Sequence, residues 1–480
     1  MSDTDTSLNP SGTSAIDQSL KAPVLVFLLS GAKWLVFATI FGYLAAWKSH
    51  NQAFLDSFSF LTTGRVQAAY TAISVYGFAC NLAFGVAIWM MARLSGSEVR
   101  AGFTLIIACA FWNIALTVGV VGILIGDLRA FEFLELPAYI AAPMAVASTV
   151  ISIWGIMLFT SRTNKDVYAS QWFLIAALFV FPWIQIVAKI MLGSDASSGV
   201  SQALVASWFA GNLTWLWFGA IAVAGLYYLI PKLLGTRLLS YSLSHIGFFA
   251  LIFAGSWAGV ARLVGGPFPA WIITAGIVAS ILMLIFFAIT GINFVGTLRQ
   301  VGEISENSDV LLFAKFASYA LLISGIGATL LSLRGIAEVT QFTVLLDAHR
   351  FLVIYGVFSM TAFGLVYYLV PQIMGRDWPM RFLISSHFWM SFIGILLIVV
   401  PLAIGGWKQG TAMMDASIPF SEVVRKTSYF MAARSMGWIF LGLGHCAFIL
   451  NLFSMLKPDC DSCIEELTRT ETEPVGGVKS

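Results

Sequence analysis

Few side chains in this sequence are suited to bind a metal. Histidine is the side chain most often used to bind transition metals in proteins. The sequence contains five histidines, and they are spread along its length. They are His50, His245, His349, His387 and His445. Because an isolated histidine in an apolar helix more often has a structural role than a ligand role, spacing alone assigns a metal site to none of them.

The five cysteines add no clear redox or metal site. Cys80, Cys109 and Cys446 lie in apolar stretches, and Cys460 and Cys463 form a Cys-x-x-Cys near the carboxyl terminus. This pair has neither the histidine that follows it in a c-type haem attachment site nor the second pair that completes a zinc site. We therefore interpret the pair as solvent-exposed and assign it no role.

The elements that must position these residues are membrane helices. Hydrophobic residues make up 59% and charged residues 10% of the sequence, whereas soluble domains carry about 25% charged residues. The apolar stretches have about the 20 residues that a helix needs to cross a bilayer core. A net charge of +2 without a dense basic run gives no reason to expect a nucleic acid partner. The lipid bilayer is the first expected partner.

Apolar runs between charged residues predict an all-α protein of about twelve transmembrane helices. The approximate ranges are 22–46, 69–93, 101–126, 137–160, 171–192, 202–230, 241–264, 269–297, 312–333, 347–371, 383–407 and 428–455. We divide the chain into a polar amino terminus (1–21), one membrane domain (22–456) and a tail (457–480). Because most lysines and arginines of the loops fall on the side of the termini, both termini are predicted to be cytoplasmic.

Several segments resemble the catalytic subunit of the cbb3-type cytochrome c oxidases, which belong to the haem-copper oxidases. They occur in the same order along nearly the whole chain. They are Gly64-Arg65, Glu132-Phe133-Leu134-Glu135-Leu136, Tyr168-Ala169-Ser170-Gln171-Trp172-Phe173, Tyr227-Tyr228-Leu229-Ile230-Pro231-Lys232, Trp257-Ala258-Gly259, Tyr367-Tyr368-Leu369-Val370-Pro371, His387-Phe388-Trp389 and Arg434-Ser435-Met436-Gly437. The resemblance implies a subunit I-like bundle in a bacterial inner membrane, within a respiratory chain. A membrane-anchored c-type cytochrome is an expected partner.

That family reduces dioxygen with two haems and one copper, and it needs more histidine ligands than this chain contains. The residues at its ligand positions have mostly been replaced here. They are Tyr70 and Phe351 at the low-spin haem positions, Gly211, Ala261 and Arg262 at the copper positions, and Gly255 at the position of the cross-linked tyrosine. Tyrosinate can ligate ferric haem, but a neutral buried Tyr70 is the favoured interpretation. No copper is expected.

His349 is the one ligand position that keeps its histidine, that of the high-spin haem. A single axial histidine holds the haem of globins, so His349 could bind one haem b. Alternatively, it is a buried structural histidine that pairs with Asp347 or with an opposing carbonyl. The sequence leaves both interpretations open.

Acidic residues and one arginine near the predicted outer surface also match the family. The resemblance implies that Arg65 contacts a haem propionate and that Glu132 and Glu135 lie near a calcium ion. Two carboxylates three residues apart can share a helical face and bind one hard cation. The alternative is that they belong to a solvated loop face.

Two further arginines stand at or beside former metal positions. A charged residue at membrane depth is usually paired or functional. We therefore predict that Arg262 and Arg350, or one of them, replace lost cationic charge and pair with Asp347 or with the outer carboxylates. The alternative is that either guanidinium extends to the outer surface.

The missing ligands favour a degenerate oxidase-type subunit that acts as a structural or complex partner. Dioxygen reduction by this chain alone is not expected, no residue is assigned as catalytic, and whether the chain is an enzyme stays open. Two alternatives remain. One is a single-haem electron-transfer or gas-binding membrane protein that uses His349, and the other is a membrane conduit through the vacated cavity.

Overall fold

Twelve helices long and apolar enough to cross a membrane form the described part of the chain. The structure, a computed structural model, describes residues 10–164, 166–193, 197–300 and 308–457, so Cys460 and Cys463 lie outside the described residues. The helices are α1 Pro10–Lys48, α2 Thr63–Ser95, α3 Gly102–Ile125, α4 Ala138–Thr160, α5 Ala169–Gly193, α6 Val200–Leu234, α7 Tyr241–Leu263, α8 Ala270–Leu298, α9 Asp309–Ser332, α10 Val344–Met374, α11 Phe382–Met413 and α12 Phe420–Leu456. A short helix, Arg334–Thr340, connects α9 to α10.

Three of the twelve described spans are core helices. In α2, α6 and α10, between 89% and 100% of the most apolar stretch is buried, against 39% to 56% in the other nine spans. Small residues let these core helices approach one another closely, as is common between helices in membranes. A methyl group added at Gly225 of α6, for example, would lie 2.7 Å from the Leu365 side chain of α10.

Each core helix contains a wider, π-helical segment. The segments are Ile73–Ala79, Leu213–Gly219 and Leu352–Ser359. They begin within three residues of Tyr70, Gly211 and Phe351, which the resemblance places at lost ligand positions. Because π-helical turns are frequent at functional sites, the backbone has a feature typical of such sites beside the positions that the resemblance assigns to lost ligands.

The all-α architecture and all twelve predicted spans are confirmed, but several helices are longer than predicted. The first helix begins at Pro10, inside the stretch predicted to be a polar terminus. Its extra turns are held by tertiary contacts: Arg93 donates to Asp17 at 2.9 Å, and the Val99 amide donates to the Ser19 hydroxyl at 3.0 Å. We call the end of the bundle where α1 begins and α12 ends the terminal face, and the opposite end the distal face.

Candidate functional site

Four charged side chains form a cluster at the distal face. Glu132 lies in the loop between α3 and α4, Arg262 lies at the end of α7, and Asp347 and Arg350 lie in the first turns of α10. The Glu132 Oε1 atom is 3.0 Å from Arg262 Nη1 and 2.9 Å from Arg350 Nη1. Arg350 also pairs with Asp347, one helical turn away. The structure therefore contains the pairing that was predicted for both arginines.

The cluster balances two positive charges with two negative charges. The side chains of Arg262, Glu132 and Arg350 are 27% to 31% exposed, so water screens these pairs only in part. Burial raises the pKa of Glu132, but the guanidiniums of Arg262 and Arg350 outweigh burial and hold that pKa below its usual value. We infer that Glu132 is ionised at neutral pH and fixes both arginines.

Glu135, the second predicted calcium ligand, has different partners. Its Oε1 atom accepts a hydrogen bond from the Phe133 amide at 3.2 Å, and its Oε2 atom is buried without a partner among the described residues. Burial raises the pKa of Glu135 to about 8. Glu132 and Glu135 do not share a third acidic, histidine or cysteine side chain in a metal-binding group within the described ranges. The calcium site stays a prediction.

A cavity of about 620 Å³ borders the charged cluster. Its walls come from α6, α7, α9 and α10, and its volume is in the range of about 300–1,000 Å³ that small-molecule pockets occupy. Its lining includes Glu132, Arg262, Arg350, Trp215 and His349. It is larger than the cavity of about 110 Å³ that borders Tyr70 and Phe351.

His349 borders this cavity but makes its hydrogen bond to a helix. Its Nε2 atom lies 2.9 Å from the carbonyl oxygen of Ser324 in α9. A carbonyl can only accept, so this nitrogen carries the proton and donates. One of the two partners expected for a structural His349, an opposing carbonyl, is therefore present. The Nε2 atom is directed at that carbonyl and not at the cavity as a ligand.

Backbone packing occupies the positions that the resemblance assigns to copper ligands. A Cβ atom at Gly211 would lie 2.5 Å from the Cα atom of Gly259, so α6 and the end of α7 meet there without side chains. Ala261 is packed in the same way, since a Cβ atom at Gly276 of α8 would lie 2.6 Å from its amide nitrogen. Such contacts leave no room for an imidazole at position 211.

The former low-spin haem positions are filled by aromatic rings. The Trp438 ring of α12 contacts Tyr70 edge to face at 5.4 Å between ring centroids, and it contacts Phe351 at 6.0 Å. Gly42 of α1 makes space for this ring, because a Cβ atom there would lie 2.4 Å from it. The remaining cavity beside these rings measures about 110 Å³, far less than that next to His349.

Two other predicted positions serve packing or helix ends. Arg65 donates to the carbonyl oxygens of Ser59 at 2.8 Å and of Leu124 at 3.1 Å, near the end of α3. A Cβ atom at Gly255 would lie 3.2 Å from the Leu251 side chain, in a packed helix contact. The contact of Arg65 with a propionate stays a prediction.

A buried polar network in α10, α11 and α12 was not predicted. The Tyr367 hydroxyl is 3.0 Å from His387 Nδ1, while His445 pairs with Tyr355 and lies 2.6 Å from the Thr39 hydroxyl. From the sequence, both histidines are interpreted as structural residues, and their partners are not predicted. The partners lie on other helices at large sequence distances, so no local pattern indicates them.

Comparison with known proteins places this arrangement in a family. The family model described as cytochrome c and quinol oxidase polypeptide I matches residues 22–440. The chain belongs to that family. It is 23% identical over 462 residues to a cytochrome c oxidase subunit 1 from Rhodobacter capsulatus, covering 93% of this chain and 86% of the relative. It is also 23% identical to the cbb3-type cytochrome c oxidase subunit CcoN1 from Stutzerimonas stutzeri, covering 72% and 75% of the two chains.

A solved structure confirms the fold of this oxidase polypeptide I family member. A chain from the cryo-EM structure of a heme-copper terminal oxidase dimer superposes with a TM-score of 0.73 at 13% identity. The superposition covers 94% of this chain and 85% of the other chain. The predicted subunit I-like bundle is therefore confirmed, and the protein is a multi-pass membrane protein related to bacterial oxidase subunits.

The side chains of this family member do not fit the copper and the low-spin haem of the oxidases. Gly211 and Ala261 offer no donor atom, and the Arg262 guanidinium is cationic and paired with Glu132. At the low-spin site, Trp438 contacts both positions from which axial ligands would come. At the high-spin position the cavity is large enough for a cofactor, but His349 Nε2 is held by Ser324.

Proposed function

We propose that this chain is a degenerate, cbb3-type subunit I-like protein that acts as a structural partner in a multi-subunit respiratory membrane complex. The observation that carries the proposal is the backbone contact between Gly211 and Gly259 at the former copper position. Since that contact excludes a ligating side chain, the chain keeps the oxidase scaffold without its copper site.

The charged cluster supports the same proposal. In an oxidase subunit the metals bring positive charge into the interior, and here Arg262 and Arg350 bring it instead and are neutralised by Glu132 and Asp347. A charge-balanced cluster keeps the helices α7 and α10 joined to the loop between α3 and α4 without a cofactor. The bundle thus has a means of remaining assembled in the absence of haem and copper.

The experiment that tests this role is isolation of the complex from native membranes. The tagged full chain, extracted in a mild detergent, should migrate on native gels as an assembly with other respiratory subunits, including a membrane-anchored c-type cytochrome. Deletion of the chain should lower the amount of that assembly, and the intact chain supplied in trans should restore it. A chain that purifies alone, with its deletion leaving every respiratory assembly unchanged, contradicts the proposal.

A second function, that of a single-haem membrane protein, is favoured by one observation. His349 borders a cavity of about 620 Å³, which is large enough for a cofactor. Binding there requires the His349 ring to give up the Ser324 carbonyl and turn toward the cavity. This function predicts a haem absorbance band that His349→Ala abolishes. No observation favours the conduit, which stays a prediction.

We further propose the membrane orientation predicted from the charges, with both termini in the cytoplasm. Arg376 and Arg381 lie between α10 and α11 at the terminal face, where the positive-inside rule favours them. A cysteine introduced at the exposed Arg381 should react with an impermeant maleimide only after the cells are opened. Labelling of intact cells contradicts this orientation.

A further inference from the structure

One lysine lies in a position that the bundle itself does not explain. Lys33 is exposed on the surface of α1, and its Nζ atom lies 5.0 Å from the centroid of the neighbouring Trp34 ring. It has no ion pair and no hydrogen bond among residues 10–164, 166–193, 197–300 and 308–457. The Lys33 ammonium therefore faces the lipid or a partner protein outside the bundle.

The position of Lys33 along α1 places it near the middle of the membrane. The apolar span runs from Ala15 to Lys48, so Lys33 is 18 residues from one end and 15 from the other. At a rise of about 1.5 Å per residue, it lies more than about 20 Å from each end. The span is longer than the bilayer core of about 30 Å, but the neighbouring Trp34 contacts Asn113, which lies midway along α3. Lys33 is therefore at the level of the bilayer centre and not at a surface where its side chain could extend to the headgroups.

Lys33 is exceptional among the exposed charged residues of the described spans; Arg434, in the interior of α12, is half-buried and borders the cavity beside Tyr70. The other exposed lysines and arginines of these spans lie within six residues of a span end; Lys408 and Lys426 are examples. The buried ammonium of Lys48 is paired with Asp56 at 2.9 Å. Because an unpaired charge in the bilayer centre is energetically costly, we expect a counter-charge for Lys33 from outside the bundle.

The residues at the same depth form an apolar surface around Lys33. Trp34 Nε1 donates to Asn113 of α3 at 2.6 Å, and Cys109 Sγ lies 3.8 Å from Ser30 Oγ, which sets the register of α1 against α3. The exposed side chains at this level form what we call the Lys33 face. They are Lys33, Val36, Phe37 and Ile40 of α1 and Ala110, Phe111 and Ile114 of α3.

The described spans of a second copy of this chain do not supply the missing charge. Every aspartate and glutamate in the described spans lies within three residues of a span end: Asp17, Asp309, Asp347 and Glu422. None of them can reach the middle of a neighbouring copy's α1. The counter-charge must therefore come from a different protein.

We propose that the Lys33 face binds a transmembrane helix of another subunit that carries an aspartate or glutamate near its middle. The carboxylate pairs with the Lys33 ammonium, and apolar side chains of the partner helix cover Val36, Phe37 and the exposed side of α3. A pair inside the bilayer forms with little competition from water, so it fixes both the depth and the rotation of the partner helix. This inference rests on the proposed role in a membrane complex and identifies the surface used.

The test is photo-crosslinking within the intact complex in native membranes. p-Benzoylphenylalanine replaces Phe37, one helical turn from Lys33 and 44% exposed. The control site is Ile285, which is 47% exposed and lies near the middle of α8. The Phe37 site, and not the Ile285 site, should yield a product with a single helix that contains a mid-span carboxylate.

Charge variants make the test specific. Lys33→Met should lower the yield of that product about tenfold, and Lys33→Glu should abolish it, while Lys408→Met, at an exposed lysine near a span end, should leave it unchanged. Replacing the partner's carboxylate by lysine should restore the product with Lys33→Glu. Folding of each variant is checked by its yield and thermal transition in detergent.

The outcomes separate this inference from the proposed function. If the complex is isolated but the product forms equally well with Lys33→Glu, or contains only lipid or a second copy of this chain, the Lys33 proposal is overturned and the structural role stands. If no other subunit accompanies the chain, both are overturned. Restoration by the exchanged charges supports both.

Discussion

Two regions of the bundle contain the positions that the resemblance assigns to lost ligands, and they are packed in different ways. Around Tyr70 and Phe351 the Trp438 ring fills the space, and a cavity of about 110 Å³ remains. Around Gly211 and His349 a cavity of about 620 Å³ remains beside a cluster of charges. The first region has been closed by packing, whereas the second has stayed open and has been stabilised by ion pairs at its rim.

The difference follows from where each region lies. The Tyr70 region is enclosed by core helices and by α1 and α12, where aromatic rings can bury their whole surface. The open region lies next to Glu132 of the loop between α3 and α4 and to Asp347 of α10. These two carboxylates are close enough to neutralise Arg262 and Arg350. The first region is thus held together mainly by contacts between aromatic rings, and the second by ion pairs near the surface.

The largest expected effect comes from reopening the closed region. Trp438→Ala removes the ring that separates Tyr70 from Phe351 and should lower the free energy of unfolding by about 3–5 kcal/mol. The measurement is thermal unfolding in detergent. Trp271→Ala, at a tryptophan that is 69% exposed on α8, is the matched control and should have a much smaller effect. Equal losses in both variants contradict the filling role of Trp438.

The second largest effect on stability is expected at Gly211, where backbone atoms of Gly259 occupy the space beside the residue. Gly211→Ala places a Cβ atom 2.5 Å from Gly259 Cα and should destabilise the protein by about 1–3 kcal/mol, because α6 and α7 must move apart. Gly64→Ala, where nothing lies within 4 Å of the added carbon, is the control. A neutral Gly211→Ala would mean that the open region can accept side chains at this position.

A smaller effect is expected at the charged rim. Arg350→Met should cost about 1–2 kcal/mol, since it leaves Glu132 with one partner in a partly screened site. In a double-mutant cycle with Glu132→Gln, the loss caused by Arg350→Met should shrink. Arg381→Met, which breaks the exposed pair with Asp377, should change stability little. Additive losses at Arg350 and Glu132 would show that the two residues do not act together.

The smallest effect is a pH dependence from Glu135. Burial raises the pKa of Glu135 from 4.5 to about 8, so the folded protein binds this proton more tightly than the unfolded chain does. The stabilisation is complete below pH 4.5 and declines as the pH rises to about 8. Thermal unfolding from pH 5 to 8 should therefore show a decline that Glu135→Gln reduces and Glu98→Gln, at an exposed loop carboxylate, does not. An unchanged decline in Glu135→Gln assigns it to other groups.

The sequence predicted the twelve spans and the oxidase-like bundle because both depend on local hydropathy and on motifs that keep their order. It also predicted that Arg262 and Arg350 would be paired, since an unpaired charge at depth is costly. The ends of helices were less predictable. The first turns of α1 are held by Arg93 and by the loop that contains Val99, which are contacts that only the folded bundle provides.

The close contacts at Gly211 and at Trp438 could not be predicted from local sequence. The contact between Gly211 and Gly259 and the insertion of Trp438 beside Gly42 join helices that are distant in the chain. The assignment of Tyr70 to a lost ligand position stays a prediction, and its neighbour Trp438 belongs to α12 and has no local sequence feature that indicates this contact. The partners of His387 and His445 were missed for the same reason.

The cofactor content of the purified chain tests most directly whether the chain lacks the haem and copper of the oxidases. The full chain, expressed in a host that supplies haem and copper to a functional cbb3-type oxidase, is separated from other subunits and analysed by absorbance and metal quantification. The purified chain should show no Soret band and no stoichiometric copper. A Soret band at one haem per chain that disappears in His349→Ala, or copper at one ion per chain, would contradict this expectation.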